Sequence, residues 1–120
     1  MPLRLTVIGP TPPLRGGIAH YNTALVRALR VRHQVQVVGL RRQYPKVLFP
    51  GTSEVDRSAV AVDFRPDLLL DPLAPLSWPA TARAIAAAAP DLIIVAWWQP
   101  ALGAVLASFV RLVRRRCAAR

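Results

Sequence analysis

The pattern that most restricts the fold lies within the first forty residues: two apolar runs separated by a loop and an amphipathic stretch. The run from Leu3 to Gly9 is short, apolar and β-branched, which is typical of a buried strand in a parallel sheet. From Ile18 to Arg30 the apolar residues recur with the helical period. The valine-rich run from Gln34 to Leu40 predicts a second strand. This order predicts a β-α-β unit with two parallel strands.

The predicted first helix has one apolar and one polar face. We expect the apolar face to pack on the sheet and the polar face to meet solvent. The apolar face holds Ile18, Tyr21, Leu25 and Leu29, with Ala24 and Ala28 beside them, and the opposite face holds His20, Thr23, Arg27 and Arg30.

The second half of the chain continues this alternation. Ser77, followed by Trp78-Pro79, predicts the N-cap of a second helix. The complete prediction comprises a short strand at Leu68 to Leu70, a helix from Ala80 to Ala89, a strand from Leu92 to Trp97 and a helix from Ala101 to Arg116. We therefore expect an α/β fold: a Rossmann-like, three-layer domain with a mostly parallel sheet, in which the first strand lies between the second and the one at Leu92.

An uncharged segment from Leu92 to Val110 precedes a group of arginines and raises the alternative of a transmembrane helix. Pro100 interrupts this segment near its middle. Its second half has a one-sided stripe of large apolar residues, which favours a helix packed on a sheet. That stripe comprises Leu102, Val105, Leu106, Phe109, Leu112 and Val113.

Length and composition indicate one folded domain. The chain has 120 residues, of which 53% are apolar and 18% charged, unlike the composition of disordered chains. The single cysteine, Cys117, excludes an internal disulfide and a cysteine-cluster zinc site, and fits the cytoplasm. The N-terminal apolar run ends too early for a signal peptide. The six acidic residues have no metal-ligand spacing, so we expect no metal site and no paired-carboxylate catalysis.

The loop from Gly9 to Gly17 is the leading candidate for a binding site. It joins the first strand to the first helix, at the carboxyl edge where α/β sheets bind ligands. Gly16 and Gly17 would let backbone N–H groups approach an anion such as pyrophosphate at the positive end of the helix, and Arg15 would add a charged donor. The alternative is that the glycine pair only forms a tight turn. The loop matches neither the dinucleotide fingerprint nor the Walker motif.

A series of loop motifs in this order resembles the start of family 4 glycosyltransferases, which have the GT-B fold. The resemblance spans nearly the whole chain. It rests on Gly16-Gly17-Ile18-Ala19-His20-Tyr21, Arg42-Gln43-Tyr44-Pro45, Leu48-Phe49-Pro50-Gly51, Pro75-Leu76-Ser77-Trp78, Pro90-Asp91-Leu92-Ile93-Ile94 and Trp97-Trp98-Gln99-Pro100.

The resemblance implies that residues 1–120 are a single, incomplete N-terminal domain of a transferase that moves a sugar from a nucleotide-sugar donor to an acceptor. It places Gly16 and Gly17 beside the donor diphosphate and implies no cofactor. The family's acidic motif for the nucleotide ribose and sugar has no counterpart here, so we expect this piece alone to be inactive, and the catalytic residues stay unknown. The rival hypotheses are a non-enzymatic nucleotide- or phosphate-binding Rossmann module and a small basic membrane-associated protein.

Three further side chains are candidates for contacts with the sugar or the acceptor: His20, Tyr21 and Trp98. His20 lies near a helix N-terminus, where the neutral imidazole is favoured, and a tryptophan at the carboxyl edge can stack on a sugar. The long segment 41–58 is a candidate functional loop. The arginines from Arg111 to Arg116 are interpreted as a solvated helix end rather than a nucleic-acid site. Peripheral contact with the inner face of the membrane is left open.

Overall fold

The chain forms a small α/β domain around one sheet. The computed structural model describes residues 1–12, 14, 17–42, 64–97 and 100–120. The elements in chain order are β1 (Arg4–Ile8), α1 (Gly17–Arg30), β2 (Gln34–Leu40), β3 (Leu68–Leu70), a 3-10 turn (Pro75–Ser77), α2 (Trp78–Ala87), β4 (Leu92–Val95) and α3 (Pro100–Arg114).

All four strands are parallel and follow the order β3-β2-β1-β4. In β1, Leu5 is paired with Val35 on one side and with Leu92 on the other. The prediction that the first strand lies between the other two is therefore confirmed, and so is the short strand at Leu68. Because the strands are parallel, all of their carboxyl ends meet at one edge of the sheet and all of their amino ends at the other.

The core is divided between the two faces of the sheet, as the alternation of side chains along a strand requires. On one face, Ile8 and Val38 pack with Ile85 of α2 and Phe109 of α3. The other face carries a smaller cluster, to which α1 contributes Val26. Its other members are Val7, Val37 and Phe64. The domain thus has helices on both faces, and this three-layer arrangement is consistent with the expected Rossmann-like class.

The buried face of α1 differs from the expected apolar stripe. Tyr21 is 62% exposed, and Thr23, expected on the solvent face, is buried and donates its hydroxyl hydrogen bond to the Ala19 carbonyl at 2.9 Å. The buried face is rotated by about 100°, the step of one helical residue. Small side chains let α1 lie close to the sheet, and the larger aliphatic ones pack at the margins. The buried residues are Ala19, Asn22, Thr23 and Val26.

The other two helices lie on the opposite face. On α3 the predicted stripe is confirmed, because Leu102, Leu106, Phe109 and Val113 are buried. Ser77 occupies the N-cap position of α2, as predicted, with a proline in the first turn. Its side chain makes no capping hydrogen bond, because it closes the 3-10 turn and its hydroxyl donates to the Ala74 carbonyl at 2.6 Å.

The apolar segment from Leu92 to Val110 is split between two elements of the domain. Its first residues form β4, and its second half belongs to α3, which begins at Pro100. No helix in the described part of the chain combines the length and the apolar composition that crossing a bilayer requires.

Candidate functional site

The candidate site lies at the carboxyl edge of the sheet, where the chain leaves β1 and enters α1. Pairing continues just beyond the strands there, since the Gly9 N–H donates to the Val38 carbonyl at 3.1 Å and the Ala96 N–H donates to the Ile8 carbonyl at 2.9 Å. β1 is thereby held between two neighbours up to its last residue. The start of the loop has a rigid support.

Asn22 of α1 ties the loop to the helix. It is only 1% exposed, and its Nδ2 donates to the Pro10 carbonyl at 2.9 Å. A Cβ atom on Gly9 would lie 2.6 Å from that Nδ2 and 2.8 Å from the Cβ of Ala96. Only glycine at position 9 allows the helix, the strand and the loop to come this close. Among the described residues no donor reaches the buried Asn22 Oδ1, which leaves one acceptor available beneath the loop.

Thr11 and Leu14 hold the next part of the loop against the sheet. Both are buried, and the Leu14 N–H donates to the Thr11 carbonyl at 3.1 Å. A Cβ on Gly39 of β2 would approach the Thr11 hydroxyl to 2.6 Å, so a glycine in β2 makes room for the loop to cross. The loop therefore has an anchored first half that leads towards α1.

The N-terminal end of α1 is open. Gly17 is exposed, and a Cβ built on it would meet none of the described residues within 4 Å. The residue does not need positive φ either, so neither packing nor backbone strain explains a glycine here. The first turn of α1 contains no acidic residue. No carboxylate in this first turn therefore offsets the positive end of the helix dipole, and this end of α1 favours the binding of an anion.

His20 and Tyr21 share the exposed face of α1 with Gly17, because residues three and four positions apart are neighbours on a helix. The structure therefore groups three of the predicted site residues on one accessible surface. The other three, Arg15, Gly16 and Trp98, lie outside the described residues, as does most of the predicted loop 41–58.

An ion pair that the sequence did not single out crosses the same edge from β2 to β3. Arg42 donates from Nε and Nη2 to the carboxylate of Asp71, at 2.9 Å in each case. These hydrogen bonds lower the pKa of Asp71 against the opposing effect of burial, and the Leu73 N–H assists. The Asp71 carbonyl also accepts from Trp78 Nε1 at 2.8 Å. Asp71 thus links the ends of two strands to the start of α2.

Trp97 marks the far side of the edge, beyond β4. It is 65% exposed, and its indole nitrogen lies 3.1 Å from the position of a Cβ on Gly103. With Val95, Leu106 and other residues of α3 it lines an apolar groove of about 410 Å³. Trp97 is therefore a surface residue of this edge and does not belong to the core.

Asn22 is the principal site residue that sequence reasoning missed. The sequence signal that could have indicated its role is a polar amide side chain three residues after Ala19, on the buried face of α1. In the described ranges no group of three or more His, Cys, Asp or Glu residues could hold a metal ion. Comparison of the chain with family models, curated proteins and solved structures finds no match.

Proposed function

We propose that the open end of α1 binds the diphosphate of a nucleotide-sugar donor, and that the chain is the N-terminal part of a GT-B glycosyltransferase similar to family 4. The observation that carries the proposal is the exposed helix start at Gly17. It lies at the carboxyl edge of a parallel sheet, and its first turn has no acidic residue. Phosphate oxygens are the ligands that such a helix end attracts most strongly.

A bound ligand explains the glycine at position 17 better than a tight turn does. A glycine lowers helix stability by up to about 1 kcal/mol relative to alanine. At Gly9 and Gly39, which lie outside the helices, a Cβ would collide with neighbouring atoms, but at Gly17 the described residues include no such neighbour. Close approach of a diphosphate to the backbone N–H groups gives the missing reason.

The neighbouring side chains have distinct roles in this proposal. Gly16 completes the diphosphate contacts, as the resemblance implies, and Arg15 adds a charged donor from the same loop. His20 and Tyr21 contact the sugar or the acceptor from the exposed face of α1. Trp98 is a further candidate for this contact. When the bond between the anomeric carbon and the diphosphate oxygen breaks, negative charge builds on the diphosphate. The positive end of α1 stabilises that charge.

Titration of the chain with uridine, guanosine and adenosine diphosphates tests the proposal. One of them should bind more tightly than its monophosphate, and Gly17→Val should weaken that binding by about tenfold or more, because the branched side chain blocks the backbone N–H groups. Thermal melts should be nearly unchanged, since space at Gly17 is open. Ala24→Val is the matched control: it lies on the same exposed face, about 10 Å further along α1.

Two results would overturn the proposal. If none of the three diphosphates binds the wild-type chain, there is no diphosphate site. If a folded Gly17→Val protein keeps its affinity for the diphosphate, Gly17 is not part of the site.

A second comparison separates a transferase from a nucleotide-binding module. For a transferase, His20→Ala should reduce affinity for the nucleotide sugar more than affinity for the nucleoside diphosphate. A module that recognises only the nucleotide would lose both equally.

A further inference from the structure

Basic charge is concentrated at the amino edge of the sheet, opposite the candidate site. Strands begin at this edge and helices end there. Within the described ranges, the arginines found at strand starts, at helix C-terminal turns or just beyond them are Arg4, Arg27, Arg30, Arg32, Arg111, Arg114, Arg115, Arg116 and Arg120. The acidic side chains described there are Asp67 and Asp91. We call this set of arginines, with the turn that contains Val31, the basic pole.

The two acidic groups are already engaged. Asp91 pairs with Arg4 at 3.5 Å and accepts from the Arg4 N–H at 2.8 Å. Asp67 lies 3.7 Å from Arg30 and accepts from the Val37 N–H at 2.7 Å. No described carboxylate pairs with Arg32, or with Arg114, Arg115, Arg116 and Arg120 further along the chain. At these five arginines, the carboxylates of the described residues leave a positive field that an external anion can offset.

Helix dipoles explain only part of this concentration. A cation in the last turn of a helix is favoured by the carbonyl end, which accounts for Arg27 and Arg30 on α1 and for Arg111 and Arg114 on α3. The remaining arginines lie in a strand, in turns or beyond the helix. Their placement needs a different explanation.

Exposed aliphatic side chains lie among these arginines. Val31, in the turn between α1 and β2, is 79% exposed and sits between Arg30 and Arg32. Leu3 is exposed too, and its N–H donates to Nδ1 of His33 at 3.0 Å, which brings it beside the same turn. Aliphatic residues among cations are typical of a surface that lies at a lipid interface.

A cavity at this edge has the size and charge for a phosphate headgroup. Its volume is about 420 Å³, and its charged lining residues are Arg4, Arg116, Arg120 and one acidic residue, Asp91, which leaves an excess of positive charge. Arg4 forms an ion pair with Asp91, whereas Arg116 and Arg120 have no carboxylate partner among the described residues. Guanidinium groups bind phosphate oxygens in a bidentate manner, which a lipid headgroup can satisfy.

We propose that the basic pole docks on a bilayer containing anionic phospholipids. The arginines would hold headgroup phosphates, and Val31 and Leu3 would enter the interface. Nucleic acid fits less well, because the described residues of this pole include no exposed aromatic side chain to stack on bases. This proposal does not depend on the proposed function, since it uses none of the residues near Gly17.

Vesicle flotation tests the docking. The chain should bind vesicles of phosphatidylcholine with phosphatidylglycerol and not vesicles of phosphatidylcholine alone, and salt should weaken the binding. Arg115→Gln with Arg116→Gln should lower the partition coefficient by about tenfold or more. The charge-matched control, Arg41→Gln with Arg83→Gln, changes exposed arginines outside the pole and should have a much smaller effect.

Val31→Ser tests the apolar contact without changing the charge of the basic pole. It should reduce vesicle binding, whereas Leu76→Ser, at a 98% exposed position near the opposite edge, should reduce it less. Thermal melts of each variant establish that it is folded. Equal binding to both vesicle types overturns the proposal, as does an equal loss from the two double variants. Binding to duplex DNA that Val31→Ser leaves intact, without vesicle binding, would assign the pole to nucleic acid instead.

Discussion

The amide nitrogen of Asn22 lies 2.6 Å from where a Cβ atom on Gly9 would be, so α1 packs against the end of β1 at a place that has no room for a side chain. The same amide holds the Pro10 carbonyl, and through it the first half of the loop. The position of the open helix end at Gly17 thus depends on a contact between two residues that do not themselves face a ligand.

We expect Gly9→Ala to destabilise the domain by about 1–3 kcal/mol, because the added methyl group must displace Asn22 or Ala96 in a packed region. Chemical denaturation measures the free energy of unfolding directly. Gly17→Ala is the control for adding the same methyl group. It should leave stability unchanged or raise it by up to about 1 kcal/mol, since α1 gains a better helix former in open space. Equal effects of the two changes would contradict this account.

Asn22→Asp should be strongly destabilised at pH 7, by about 3–5 kcal/mol, because it buries a carboxylate without a cation and loses the donor to Pro10. Burial should raise the pKa of the new carboxyl above its unfolded value. The folded state then binds a proton that the unfolded state releases, so the penalty should shrink as the pH falls towards 4. Asn22→Ala has no titrating group and should show a smaller loss without this recovery. Denaturation at both pH values decides between them.

These contacts also mark what the sequence could and could not predict. The strands were predicted from apolar runs, and the buried stripe of α3 from the helical period of its large apolar residues. Both signals come from residues that are close together in the sequence. The buried face of α1 was predicted wrongly because the larger residues Ile18, Leu25 and Leu29 dominate its apolar pattern, whereas the distance between helix and sheet is set by Gly9 and Asn22. That distance is a tertiary property. The pair Arg42–Asp71 joins residues 29 positions apart and has no local signal either.

Ala89→Gly should stabilise the domain by about 1 kcal/mol. Ala89 follows α2 with a φ of 47°, a left-handed conformation that glycine adopts at helix ends without the steric penalty of a Cβ. The adjacent Ala88 has ordinary helical angles, with φ −75° and ψ −8°. Ala88→Gly should therefore bring no gain and a loss of up to about 1 kcal/mol. Thermal and chemical denaturation of the two variants should give opposite signs.

Asp71→Asn should cost about 1 kcal/mol at pH 7, since it weakens the two hydrogen bonds from Arg42 to a carboxylate at the domain surface. The folded pKa of Asp71 is lowered, mainly by those hydrogen bonds. The stabilisation is therefore present above the unfolded pKa near 4 and is lost as the pH falls through the lower folded value. The gap between wild type and variant should close in acid. A gap independent of pH would show that charge on Asp71 does not matter.

The uniform direction of the strands affects how the sequence of such a domain can change during evolution. In the described part of the chain, β1, β3 and β4 lead into helices at one edge, and α1 and α2 lead into strands at the other. A loop can therefore lengthen or change composition at either end while the pairing between Leu5, Val35 and Leu92 stays in register. Selection can act on ligand preference and on surface attachment as two separate traits, with the sheet as the constant part between them.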